Sequence, residues 1–380
     1  NPADQPPSRP PRRRRIVAMA SVAVAVAAAA GYWVQYGRHQ VSTENAYVEG
    51  NVVQVTSQVG GVVTAILADN TDLVGSGSTL VELNGVDAQL ALAAAQAQLA
   101  RTVRQVRGQF AAAGQDRANV ELRSVDLARA QEDMARRSAL AASGAISGEE
   151  LTHARQAVRT AKASLAMATE QLKRNQALVE RTSVDSHPEV QAAAAQVRNA
   201  SIALSRTRIP APIGGVVTRR SVQVGQRVSA GVPMMSVVPL DHLWVTANLK
   251  ESQLRDIRLG QPVTLTTDLY GDGVVYHGRV VGQDAGTGSA FALLPAQNAT
   301  GNWIKVVQRV PVRIALTPAE VAAHPLQIGL SMKVSIDTSS RDGKRLVAVD
   351  ANSQNYRTTV FANELARADE LVRRIVEENL

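Results

Sequence analysis

The sequence predicts an α+β protein drawn out along one axis. It comprises an N-terminal transmembrane helix, a β-sandwich written in two halves, a long antiparallel coiled-coil hairpin inserted between them, and an antiparallel β-barrel. Three observations carry this reading. The pentapeptide Gly60-Gly61-Val62-Val63-Thr64 returns 154 positions later as Gly214-Gly215-Val216-Val217-Thr218, and in the same register Val74 falls on Val228, Gly77 on Gly231, Leu80 on Met234 and Leu83 on Val237. Between the two copies lie about 120 residues rich in Ala, Gln, Leu and Arg, with apolar positions at sevenfold spacing. Of the 380 residues 45% are hydrophobic but only 3% aromatic, which suits thin packing better than one large core.

Residues 1–15 read as a Pro-rich, basic, cytoplasmic and disordered tail that closes on Arg12-Arg13-Arg14-Arg15. Residues 16–36 follow as the membrane anchor. The uncharged run from Ile16 to Val34 is long enough for the ~30 Å hydrocarbon layer, and the Arg block sets the N-terminus inside. Tyr32, Trp33 and Tyr36 would sit at the outer interface. A cleavable signal peptide is the competing reading, because Ala28-Ala29-Ala30 resembles a cleavage site. Either way the remainder is exported. No second apolar run has the length of a span, so this chain forms no path through the bilayer.

Residues 37–51 read as a linker and first strand toward the barrel, and 52–85 and 209–239 as the two sandwich halves. Gly61, Gly77, Gly215 and Gly231 are expected as their turn glycines. The hairpin spans 86–208 with its tip at about 141–149. Leu92, Leu99, Val106, Ala113, Val120, Leu127, Met134 and Ala141 form its outgoing seam. Leu151, Val158, Leu165, Leu172 and Val179 form the returning one, with Ala154, Ala161, Ala168, Asn175 and Thr182 beside it. Asn175 either fixes register or is a tolerated polar residue near a bend. Ser143-Gly144 ends the first helix, and Ser147 with Glu150 can form a capping box for the next. Ser186-His187-Pro188 interrupts the return opposite Gly108 and Gly114, which predicts a hinge through both arms. An arm of this length makes a rod of roughly 85 Å.

Residues 240–340 read as the barrel, with strands at Leu243–Leu249, Val263–Thr267, Val274–Val281, Ile304–Leu316 and Met332–Thr338 and a short helix from Glu251 to Ile257. Phe291, Leu293, Leu294 and Trp303 mark a long apolar loop expected to be an interface. The tail, 341–380, contains a short helical pattern at Leu365, Leu371 and Ile375 that either returns to the membrane side or stays loose.

Catalytic classes find no support. With no cysteine there is no disulfide, thiol nucleophile or thiolate metal site. Gly286-x-Gly288 lacks the third glycine of a dinucleotide site. The six histidines never reach metal-ligand spacing, so no cofactor is expected. The sandwich has the build of a lipoyl or biotinyl carrier, yet neither half offers the lysine that would bear the cofactor. A net charge of +8 reads as a solvated basic surface, since too few aromatics are available to stack bases, and no nucleic-acid partner is expected.

Asn45-Ala46-Tyr47-Val48-Glu49-Gly50, the first Gly-Gly-Val-Val half, Ala68-Asp69-Asn70-Thr71-Asp72, Leu243-Trp244-Val245, Gly286-Thr287-Gly288-Ser289-Ala290-Phe291 and Trp303 to Arg309 resemble the membrane fusion proteins of the HlyD/EmrA family, most closely its EmrA branch. The resemblance covers about residues 42–340. It implies a periplasmic adaptor, single pass in the inner membrane of a Gram-negative bacterium, that links a major facilitator (EmrB-like) transporter to a TolC-like outer-membrane channel and expels drugs and toxic amphiphiles. It also implies a homo-oligomer, trimer or hexamer, and a channel-docking Arg-x3-Leu-x6-Ser pattern, matched by Arg136, Leu140 and Ser147. The alternative within the same fold is an adaptor for type I protein secretion.

Overall fold

The computed structural model describes residues 16–27, 39–291, 307–345 and 357–380. Residues 16–27 form helix α1, exposed throughout. The rest of the expected anchor, with Tyr32 and Trp33, lies outside the described residues, and among those described no helix is long and apolar enough to cross a membrane.

A closed six-stranded barrel is built in the order β1 (Gln40–Gly50), β10 (Leu243–Lys250), β13 (Arg309–Leu316), β12 (Gly271–Gln283), β11 (Pro262–Thr267) and β14 (Ser331–Asp337). Strict alternation in β10 sends Leu243, Val245, Ala247 and Leu249 inward, where they meet Ala46, Val48, Tyr276, Ile314 and Ile336 in one core. Outside, Arg313 lies 3.9 Å over the Trp244 ring, while the Trp244 indole N–H donates to Glu49 at 3.1 Å. Three strand-level expectations change. β12 is longer at both ends, β13 begins at Arg309, with Val307 and Gln308 outside it, and the Glu251 turn is a 3-10 helix, Glu251–Asp256. A short helix α5, Pro318–Ala323, went unread, although Pro at its first turn is a start signal.

The repeated halves fold as one sandwich with pseudo-twofold symmetry. One sheet runs β2 (Val53–Thr56), β9 (Pro233–Val238), β7 (Gly215–Thr218) and β4 (Leu73–Val74). The other runs β6 (Arg208–Pro210), β5 (Thr79–Leu83), β3 (Gly61–Ile66) and β8 (Arg227–Val228). Each half therefore lends strands to both sheets. Gly61 pairs with Val228 and, in the equivalent place, Gly215 pairs with Val74. Gly77 and Gly231 are true turn glycines at φ +84° and +83°. Gly61 and Gly215 are not turns: they open strands β3 and β7, where a neighbour crowds the position a Cβ would take.

The symmetry isolates one strained residue. Thr71 stands at φ +78° where its equivalent, Gly225, stands at +83°, and each N–H donates across the sandwich at 2.9 Å, to Val217 and Val63 respectively. A β-branched residue pays in strain for that conformation. Thr71→Asn is therefore expected to raise stability by about 0.5–1 kcal/mol and Gly225→Thr to lower it by about 2 kcal/mol, read as shifts in the urea midpoint.

The hairpin leaves the sandwich between β5 and β6, which pair through Glu82 and Arg208. The outgoing arm is α2 (Val86–Ala142) and the return is α3 (Gly148–Val179) and α4 (Pro188–Ser205). The expected two-arm hinge is not found: α2 runs unbroken through Gly108 and Gly114. An isolated glycine costs only about 1 kcal/mol in a helix, which the seam on either side outweighs. Only the return arm breaks, and there Pro188 starts α4 with His187 as its N-cap.

The tail takes neither expected course. Helix α6 (Glu364–Asn379) packs on α2 and α4 at the hairpin base. Leu371, Val372, Ile375 and Val376 join Leu99, Val103, Val106, Val190 and Val197 in one apolar cluster. Arg198 meets Asp369, Arg206 meets Glu364 at 3.5 Å, and Arg104 donates to Asn379 at 2.7 Å. The base of the rod, formed by α2, α4 and α6, is a three-helix bundle, and on the tip side of the break at 180–187 the rod is a two-helix coiled coil of α2 and α3.

Candidate docking site at the hairpin tip

The reversal is made by backbone hydrogen bonds that the sequence encodes closely. At the end of α2, Gly144 adopts φ +73°, its N–H donates to Ala141 at 3.1 Å, and the Ala145 N–H reaches back to Leu140 at 3.0 Å. That pair of bonds is a Schellman closure, and it needs a glycine at its left-handed position. Three residues on, Ser147 caps α3: its hydroxyl accepts from the Glu150 N–H at 3.2 Å, and its own N–H donates to the Glu150 carboxylate at 3.3 Å. The turn is short and closed by hydrogen bonds on both sides, so the side chains flanking it are held in place rather than left to wander.

The three residues of the sequence pattern fall into different roles. Leu140 is 47% exposed, an apolar side chain turned away from the seam that Met134 and Ala141 occupy. Arg136 lies one turn earlier on the same face, with its side chain 69% exposed and a long 3.5 Å contact to Asp133. Arg137 holds the same carboxylate at 2.9 Å, which leaves Arg136 the freer guanidinium of the two. The Ser147 hydroxyl is already engaged in its cap. Glu149, in the first turn of α3, and His153, one turn further on, lie 3.7 Å apart.

Along the shaft the two alternatives for Asn175 resolve: its amide donates to Asp116 of the opposite arm at 2.6 Å. A polar pair inside an apolar seam pins the register of the arms. Ala154 and Ala168 are buried in the same seam, where small residues let the helices approach. The loop that begins at Gly286 is described only as far as Phe291, whose ring rests on Gly286 but is 68% exposed. Leu293, Leu294 and Trp303 lie outside the described residues. In the sandwich, the Ser76-Gly77 and Ala230-Gly231 turns hold no lysine. Among the described residues, no group of His, Asp or Glu is arranged to hold a metal ion.

Barrel, split sandwich and inserted hairpin, in that order, make an elongated adaptor of the membrane fusion type. A family model described as EMRA, alpha-helical hairpin domain, matches residues 86–207. The chain is 49% identical over 348 residues to the multidrug export protein EmrA of Escherichia coli (strain K12), covering 92% of this chain and 89% of that one. It is 55% identical over 299 residues to the fatty acid resistance protein FarA of Neisseria gonorrhoeae, covering 78% and 76%. With the probable multidrug resistance protein EmrK of Escherichia coli (strain K12) it shares 45% over 332 residues, 87% and 86% of the two chains. The chain belongs to the EmrA family.

Proposed function

We propose that this chain is the periplasmic adaptor of a tripartite multidrug efflux pump, a non-catalytic part held in the inner membrane by residues 16–36. The barrel engages a major facilitator transporter, the sandwich is the joint, and the hairpin carries the contact to a TolC-like outer-membrane channel. Several copies surround the conduit, since one two-helix rod is too thin to enclose it. Energy comes from the transporter. The relatives' names, multidrug export and fatty acid resistance, suit amphiphilic cargo.

One observation supports the tip assignment best: Leu140 and Arg136 stand exposed on one face beside a rigidly closed turn, at the end of a 57-residue helix. A buried apolar anchor ringed by polar contacts is the usual form of a hot spot, and Leu140 offers that anchor. In a strain deleted for the gene, Leu140→Asp is expected to restore less than a tenth of the drug tolerance that the wild-type chain restores, with equal protein level and unchanged melting, because a carboxylate replaces the apolar anchor. Full tolerance with Leu140→Asp would overturn the assignment. Ser147→Ala separates the two roles of the serine: it should cost about 1 kcal/mol of local helix stability, and tolerance should follow only if the hydroxyl also meets the channel. The secretion alternative predicts an ATP-driven exporter encoded beside this gene in place of a major facilitator.

A further inference from the structure

The barrel end remote from the sandwich carries a cluster of guanidinium groups that lack carboxylate partners. β1 begins here and β14 ends here, Gln40 opposite Asp337, and β10 ends with Lys250 opposite Arg309. Against this rim lies the segment after β14, held by a buried Gln261 whose amide donates to Asp256 and Ser340, both at 2.9 Å. The Leu259 N–H donates to Lys344 at 3.0 Å. At Gly343 a Cβ would come within 2.3 Å of the Leu259 carbonyl oxygen. The segment is therefore fitted to the rim.

The fit brings like charges together. The guanidinium of Arg258 donates to the Arg255 carbonyl at 3.0 Å, and that of Arg345 donates to the same oxygen at 3.1 Å. Two cations sharing one carbonyl repel each other unless an anion joins them. Of the nearby carboxylates, Asp256 pairs with Arg341 at 3.2 Å, while Asp342 accepts from the Ser340 hydroxyl and Asp337 from the Ser339 N–H, neither within ion-pair distance of these cations. Among the described residues Arg255, Arg258, Lys344 and Arg345 make no ion pair, as the fourteen ion pairs of the structure lie elsewhere. In sequence the apolar segment 16–27 precedes β1, whose first residue, Gln40, lies at this same end.

We propose that this rim docks on the bilayer surface, with Arg258 and Arg345, assisted by Arg255 and Lys344, taking the phosphate oxygens of anionic lipid headgroups. Guanidinium forks match phosphate geometry, and basic residues beside an anchored segment gain from the negative surface potential of anionic lipid. The inference rests on the anchored reading of residues 16–36. Docking would set the barrel upright on the membrane and so give the rod its direction.

The chain has no cysteine, so Ser339→Cys gives a single labelling position on the docked segment. The full chain, labelled there, is placed in bilayer discs of phosphatidylcholine alone or with phosphatidylglycerol, and energy transfer to a headgroup acceptor is read. Transfer should rise with the anionic lipid and fall back in Arg258→Glu/Arg345→Glu, whose partition onto anionic vesicles should weaken about 30-fold. Equal transfer in both lipids, or an unchanged reversal variant, would overturn docking while leaving the anchor intact. Loss of the rise on adding inorganic phosphate at constant ionic strength would assign the cluster to free phosphate and overturn the lipid assignment. Failure to enter discs strikes the anchor instead; co-flotation with anionic but not neutral vesicles would then still support the rim, and flotation with neither would overturn it.

Discussion

Removing residues 357–380 is expected to melt the base of the hairpin while leaving its shaft and barrel folded. Helix α4 has 18 residues and is cut off from α3 by the break at 180–187, so it gains nothing from helix propagation along the return arm. It depends on α2 and α6 for burial. Loss of α6 would expose the apolar surface of Val190, Val197, Leu99 and Val103, all now 1% exposed or less. Each such side chain contributes about 1.5–3 kcal/mol when fully buried. Amide protection over 188–205 should fall steeply in hydrogen exchange, and protection over 148–179 should not. Val376→Asp tests the same contact without truncation. It puts a carboxylate into the apolar cluster and should cost about 2–4 kcal/mol, whereas Leu365→Asp, at a position 54% exposed, should change stability by less than about 0.5 kcal/mol. If Val376→Asp matched Leu365→Asp, α6 would not be a working part of the bundle.

That helix also shows where the sequence stops speaking. The helical pattern at Leu365, Leu371 and Ile375 marks the element but only part of its apolar stripe, since Leu365 is exposed while Val372 and Val376 are buried, and nothing local says which surface the stripe meets. The partner residues lie more than 160 positions away, and a stripe of four small and medium side chains fits many surfaces. The coiled-coil seam was legible for the opposite reason. Each arm there meets its partner across a single turn, so the sevenfold spacing of Val120, Leu127 and Met134 determines both the element and its neighbour.

Two further cases divide along the same line. The repeat made the two halves of one sandwich legible, because a shared register is a long-range signal carried in the text; the pairing of Gly61 with Val228 and of Gly215 with Val74 was not, as both glycines read as turns. The repeat also hid a difference, since Thr71 replaces a glycine at a left-handed position and only the backbone reveals the strain. Gly108 and Gly114 misled in the other direction. Glycine weakens a helix locally, but the seam residues around them decide, and α2 is unbroken through both. At the tip, Gly144 and Ser147 were legible because Schellman and capping-box geometry is local. The freedom of Arg136 relative to Arg137 was not, as it turns on which of the two takes Asp133.

The second large effect is expected at Gly215, and its pseudo-symmetric mate makes the test internal. Both glycines open strands at equivalent points, so propensity alone predicts equal penalties for alanine. The surroundings differ. A Cβ on Gly61 would meet the Leu83 side chain at 3.2 Å, but on Gly215 it would lie 2.3 Å from the Val238 carbonyl oxygen and 2.6 Å from its carbon. A leucine can shift by a few tenths of an ångström. The Val238 carbonyl cannot, because β9 is tied on one side to β7 and on the other to β2, and only the short link 239–242 separates it from barrel strand β10. Gly61→Ala should therefore cost about 1 kcal/mol, and Gly215→Ala about 4 kcal/mol or more, measured by urea unfolding. The loss should extend to the barrel, since displaced β9 pulls on β10 through Pro239. Equal costs at the two positions would mean that the backbone at Val238 yields as readily as a side chain, and that the joint between sandwich and barrel is soft.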